Sequence, residues 1–339
     1  MSVKTRNLLC FMMVVSAAFF AVTIMPYSND HQAYIDLFKY TIQDTSYERM
    51  EIGFKSIVSF FKFFGFNFEL FWFLIAFISL LLKLYLLKSY DSNIFILFLL
   101  YLLYCISLLA LHETTQIRAA VAIAFGMLGF RCRNKILGIS LFFISVLFHY
   151  SAIIFIILYA LNKIVKPYKF TWLIVVIAIA TIMPIILKQL SGLLISINPL
   201  FSLYLENSDN AKVNQFSFTS VLAIVFFVVN FFVGRRINYY NDGKNFIFKQ
   251  YNMFSFLYLS SVILLTALSF SPVISIRLYE LLSLSPFVII ACLYSKCIKC
   301  IFDLDFRLQW LRRSLFLVLW LISMHRFVAY YFVNPIITF

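Results

Sequence analysis

Between Leu111 and Ser151 the chain reads LHETTQIRAAVAIAFGMLGFRCRNKILGISLFFISVLFHYS. His112 and His149, two of its four histidines, stand here with Glu113 and Arg118 at the ends of apolar runs. Carboxylates, imidazoles and guanidiniums are the groups that move protons and hold anions. The same types recur at the edges of other apolar segments: Asp30 with His31, Glu51, Arg277 with Glu280, and His325 with Arg326. Ionisable groups in or beside a membrane span are costly, so they tend to face a bundle interior or a wet cavity. Several arginines on one cavity suit an anionic ligand, because a guanidinium fork matches phosphate oxygens.

Each of these residues also has a plainer reading. Glu113 can pair with Arg118 at the start of a span. Arg277 and Glu280 are spaced for an i,i+3 ion pair. Arg326 can snorkel outward from the last span, and His149 can cap a helix or bond a carbonyl. Motifs of soluble enzymes are missing: there is no G-x-x-x-x-G-K-[ST], no H-E-x-x-H and no G-x-S-x-G. No group of Asp, His and Cys has metal-ligand spacing, so neither metal nor cofactor is expected. Any reaction must then draw on an activated substrate rather than on ATP.

The elements that position these residues follow from composition. The chain is 63% hydrophobic and 12% charged, with mean hydropathy +0.94. Charged residues normally cover a globular surface, so this balance excludes a soluble domain. Apolar runs of spanning length recur from end to end. Strand-length alternation of apolar and polar residues, the mark of a membrane barrel, does not. The fold class expected is all-α, a polytopic membrane protein with one transmembrane domain over residues 1–339 and about 11 spans.

The first run, from about Asn7 to Met25, follows Lys4 and Arg6 and lacks an A-x-A-like cleavage site. It reads as an uncleaved span with a cytoplasmic N-terminus. Later spans are expected near 68–87, 93–112, 117–130, 136–148, 150–162, 170–188, 217–234, 249–269, 279–295 and 313–333. Polar stretches at about 26–67 and 189–216 form outer loops; within the first, 53–67 suits an interfacial helix with Lys55 and Lys62 on one face. The basic turns, including Lys83/Lys88, Arg131/Arg133/Lys135, Arg235/Arg236 and Lys296–Arg313, then share the cytoplasmic side, as the positive-inside rule requires. This distribution accounts for the net charge of +14 without nucleic acid. It also puts all four histidines, with Arg118, Arg277 and Arg326, toward the outer face, and the C-terminus outside. Six cysteines, mostly within spans or on the inner side, make a disulfide framework unexpected.

Taken in order, several motifs resemble the EpsG-like branch of the Wzy-type polysaccharide polymerases. They are Asp30 and Tyr34 after the first span, Glu51-x-Gly53-Phe54 before an apolar helix, and Arg118-Ala119-Ala120 opening a span. Phe148-His149-Tyr150-Ser151 follows a basic turn; Arg277-Leu278-Tyr279 opens a late span; Tyr330/Tyr331 and Pro335 close the chain. The resemblance implies a glycosyltransferase of the bacterial inner membrane, related to the large membrane glycosyltransferases with lipid-linked donors. Such an enzyme moves a growing glycan from undecaprenyl pyrophosphate to the non-reducing end of a new lipid-linked unit at the periplasmic face. Its partners are that lipid-linked oligosaccharide, the surrounding membrane lipids and a separate chain-length regulator. In that reading Arg118, Arg277 and Arg326 hold pyrophosphate. His149, Glu51 or Asp30 serves the acceptor hydroxyl as base, with His112, Glu113, Glu280 and His325 as further site candidates.

Three other classes compete. A flippase for lipid-linked sugars should show repeats and polar groups at the bilayer midplane; the polar groups here gather toward one face. A polysaccharide O-acyltransferase needs a histidine reachable from the cytoplasm, and the cytoplasmic loops have none. A non-catalytic scaffold leaves the arginines unexplained.

Overall fold

The computed structural model describes residues 2–39, 50–90, 93–165, 217–239, 245–268, 271–298, 302, 305–333 and 335–338, with isolated positions between 174 and 196. The described residues are mostly helical, joined by turns and short irregular stretches, with an antiparallel bridge between Ser28 and Ile337. The protein is an all-α polytopic membrane protein. Six described helical stretches are long and apolar enough to cross a membrane: Val3–Tyr27, Phe68–Lys88, Ile94–Thr115, Phe218–Asn238, Ile274–Leu293 and Phe306–Val333. Lys135–Phe148 and Tyr150–Leu161 are shorter apolar helices. The span expected at 170–188 and the outer loop at 189–216 lie outside the described residues, apart from isolated positions.

The chain divides into two compact units, Met1–Ile156 with Ser323–Phe339, and Ile157–Ile322. The first holds α1 (Val3–Ile24), α2 (His31–Lys39), α3 (Ile52–Phe63), α4 (Phe68–Lys88) and α5 (Ile94–Tyr104). A π-helical segment, Cys105–Thr115, continues α5; α6 (Ile117–Arg131) and α7 (Lys135–Phe148) follow. Asparagines start several helices by accepting a backbone N–H of the first turn. Asn67 takes that of Leu70 at 2.9 Å, and Asn134 takes those of Ile136 and Leu137 at 2.9 and 3.3 Å. Helix α4 packs against α1 and α6, and α6 against α7. The Ser145 hydroxyl fastens α7 to α6 by donating to the Ala122 carbonyl at 2.6 Å.

Within the first unit the two chain ends meet. The Asn29 N–H donates to the Ile336 carbonyl at 3.2 Å, and the Thr338 N–H to the Tyr27 carbonyl at 2.8 Å. Ser28 Oγ donates to Thr115 Oγ1 at 3.2 Å, so the turn after α1 touches the π-helical segment as well.

The division between the units falls within α8 (Ile153–Leu161), and the second unit is built around α10 (Phe246–Ala267), which packs on α9 (Phe218–Tyr239), α11 (Pro272–Leu281) and α12 (Ser285–Leu293). Buried amides find partners there: Tyr251 donates to Asn230 Oδ1 at 2.8 Å, and Asn230 Nδ2 to Ser255 at 3.0 Å. The late span expected at 279–295 is two helices, interrupted at residues 282–284 just before Pro286. The last helix, α13 (Phe306–Val328), starts before the expected 313 and passes into a π-helical turn at Ala329–Val333.

Candidate active site

Three residues singled out from sequence meet in the first unit. Glu51 stands just before α3 in extended conformation and does not cap its own helix, which leaves its carboxylate free to reach outward. Its Oε2 accepts from Arg118 Nη1 at 2.6 Å, and its Oε1 lies 3.2 Å from His149 Nδ1. Arg118 is the second residue of α6, and His149 is the residue that ends α7. Glu51 is 4% exposed, whereas the side chains of Arg118 and His149 are 28% and 19% exposed. The cluster therefore has a sealed carboxylate and two partly open partners.

Local sequence explains how α3 reaches α7. A Cβ on Gly53 would stand 2.8 Å from the Leu147 carbonyl oxygen, too close for any side chain. Gly53 thus lets the start of α3 touch the end of α7, two residues from Glu51 on one side and two from His149 on the other. Phe54, the next residue, is buried and packs edge-on against Tyr34 and Phe71. The Arg118 guanidinium lies 5.7 Å from the Tyr34 ring centroid and 5.9 Å from that of Phe54. Its Nε donates to the Tyr34 hydroxyl at 3.4 Å.

Burial drives the Glu51 carboxyl upward, but the hydrogen bond from His149 and the Arg118 charge prevail and hold it at about 2. An ionised carboxylate only accepts, so His149 Nδ1 carries a proton toward Glu51 and Nε2 is the nitrogen left to act. Burial pushes the Tyr34 phenol up against the pull of Arg118, so it stays a neutral hydroxyl. A guanidinium has five N–H donors; Glu51 and Tyr34 occupy one each, and the rest can meet an anion. The arrangement is an imidazole oriented by a carboxylate beside a guanidinium with donors to spare.

The other candidates fall elsewhere. Asp30 is exposed one turn before Tyr34, whose hydroxyl its charge reaches. His112 and Glu113 lie in the π-helical segment and are fully buried. Glu113 does not pair with Arg118 as its position suggested; it pairs with Lys83 at 2.5 Å. The π-helical turn and the break at Gln116 separate Glu113 from Arg118 and send their side chains to different partners. Lys83 is correspondingly no part of a basic turn: it is 1% exposed within α4. Arg326 is buried in the first unit, and its charge reaches His112; His325 is partly exposed. Arg277 is exposed and Glu280 buried on α11 of the second unit. Among the described residues no three of His, Cys, Asp and Glu gather as metal ligands.

Sequence reasoning overlooked the Lys83 cluster. Its signal was present: a lysine inside the run LLLKLYLL is an intramembrane charge and demands a partner.

Neither a curated protein nor a solved structure gives a significant match to this chain. The EpsG family does: its sequence profile matches residues 6–337, nearly the whole length, and the protein belongs to that family.

Proposed function

We propose that this EpsG-family membrane protein is a polysaccharide polymerase. It transfers a growing glycan from undecaprenyl pyrophosphate to the non-reducing end of a new lipid-linked repeat unit. The observation that carries the reading is the Glu51–Arg118–His149 cluster, assembled from three separate segments. His149 Nε2 takes the proton of the acceptor hydroxyl as its oxygen bonds to the anomeric carbon of the donor. Glu51 holds the imidazole in the required tautomer and balances its positive charge. The bond from the anomeric carbon to the pyrophosphate oxygen breaks, and the spare Arg118 donors meet the charge that builds on the leaving group. Chemistry of this type needs no ATP, because the pyrophosphate linkage is already activated. The reading places the cluster at the periplasmic face of the inner membrane, with the N-terminus in the cytoplasm and a separate protein setting chain length.

The test is complementation of a deletion strain, read as a polysaccharide ladder. Wild type should restore long chains. His149→Ala and Arg118→Ala should leave chains of a single repeat with protein levels unchanged. Long chains from both variants would overturn the reading; loss of even the single repeat would point to flipping instead.

A further inference from the structure

A second polar cluster lies in the core of the first unit, in membrane-spanning helices. Glu113 Oε1 receives Lys83 Nζ at 2.5 Å and Ser79 Oγ at 3.0 Å. The Tyr104 hydroxyl lies 3.0 and 2.9 Å from the two Glu113 oxygens and 2.8 Å from Lys83 Nζ. Tyr104 also lies 3.2 Å from His112 Nδ1. All of these residues are buried. A buried ion pair contributes little net stability against an apolar replacement of the same volume. Stability alone therefore does not account for charges placed here.

The cluster is joined to the candidate site by direct contacts. The Glu113 carbonyl accepts from Trp72 Nε1 at 2.9 Å. The Trp72 ring packs edge-on against Tyr34 at 4.9 Å between centroids. Tyr34 in turn lies beneath Arg118 and accepts from its Nε. By the chain itself, Glu113 lies in the last turn of the π-helical segment that leads through Gln116 into Arg118; the Gln116 N–H bonds back to the Leu111 carbonyl at 2.8 Å.

We propose that Lys83 and Glu113 are positioning residues: through Trp72, Tyr34 and the π-helical segment, their buried pair sets where Arg118 stands. Neither touches substrate. Three side chains from α4 and α5, those of Ser79, Lys83 and Tyr104, converge on a carboxylate inside a segment wound with an extra residue per turn. Without that anchor, the segment is free to rewind as an ordinary helix and rotate Arg118 away from Glu51 and Tyr34. The activity arm of the test rests on the polymerase reading above; the exchange arm does not.

The experiment uses the full chain in detergent micelles and in lipid nanodiscs. The informative variant is the charge-free pair Lys83→Met/Glu113→Gln, which removes both buried charges together and so avoids stranding one. Hydrogen–deuterium exchange should rise over residues 112–118 and 31–37 and stay unchanged over 135–148. Unchanged exchange over 112–118 would overturn the proposal, whether or not the protein polymerises anything. With a lipid-linked repeat unit as substrate, the charge-free variant should lose polymerisation about three- to thirtyfold. Added to Arg118→Lys, it should cause almost no further loss, because both changes act through one guanidinium. Losses that multiply would mean a general structural defect and overturn the proposal. Lys83→Arg, which keeps the pair, should recover most of the activity; no recovery with normal folding also counts against it. Wild-type protein that polymerises nothing would sink the polymerase reading alone, leaving the exchange result to decide the positioning role.

Discussion

The first unit contains two carboxylate clusters that differ in what they leave unsatisfied. Around Glu113, a lysine, a tyrosine and a serine all bond the carboxylate in a fully buried setting, and the Nε2 of the neighbouring His112 is buried without a hydrogen-bond partner among the described residues. Around Glu51, an arginine and a histidine hold the carboxylate yet keep free donors, a free ring nitrogen and partial exposure. Both are ion pairs, and both involve residues far apart in the chain. The difference is that the first cluster is shut away from solvent, which suits scaffolding, while the second presents accessible groups, which suits binding and proton transfer. A charge pair in a membrane bundle is thus informative by the polar atoms it leaves accessible rather than by its presence.

The largest expected effect separates the clusters most sharply. His149→Ala should reduce polymerisation by about 10²–10⁴-fold, the usual worth of a positioned general base, with only a small drop in melting temperature because Arg118 still pairs with Glu51. A ladder of normal length from this variant would remove the functional side of the contrast. Breaking the buried cluster should act first on stability. Lys83→Met strands a buried carboxylate and should cost about 3–5 kcal/mol of stability, measured by denaturant unfolding in micelles. Arg118→Met should cost clearly less, because Glu51 keeps His149 and Arg118 is partly exposed. Equal costs would mean that the clusters do not differ in kind.

Smaller effects sharpen the geometry. Gly53→Ala inserts a methyl group against the Leu147 carbonyl and should cost about 1–3 kcal/mol. It should also lower polymerisation by parting Glu51 from His149, so a variant with wild-type activity would show that the close approach is dispensable. The smallest effect is a pH dependence. The Glu51 carboxyl is held at about 2 in the folded chain, below its ordinary 4.5. A depressed carboxylate contributes stability that is complete above the unfolded value and disappears as pH falls through the folded one. The melting temperature of wild type should therefore exceed that of Glu51→Gln at pH 6, and the gap should close as pH drops from 4.5 toward 2. A gap that persists at the acid end would show that Glu51 acts by packing rather than by charge.

Much of the helical layout was legible because the apolar runs are long and bounded by asparagines or basic turns. The helices expected at 136–148 and 217–234 stand at 135–148 and 218–239. The interruption of the late span was not legible: 279–295 is mostly apolar, and only Ser283, Ser285 and Pro286 hint that two helices meet there. Helix α13 begins early because Arg307, Arg312 and Arg313 are good helix formers that hydropathy counts against a span. Residue types also pointed to Glu51, Arg118 and His149, since a charge beside a span is expensive and rarely idle. The pairings were another matter. Glu113 looked like the partner of Arg118 because it is near in sequence, and the π-helical turn took it to Lys83 instead.

Sequence alone determined that this chain is a helical membrane protein, where most of its helices lie, and which residues were worth suspecting, because burying an apolar run or a charge has a cost that composition reveals. Only the tertiary structure decided which carboxylate meets which cation. That choice depends on side-chain direction at a π-helical turn and on a glycine that lets α3 touch α7. Directions of that kind are set by packing between distant segments, and no local pattern in the chain encodes them.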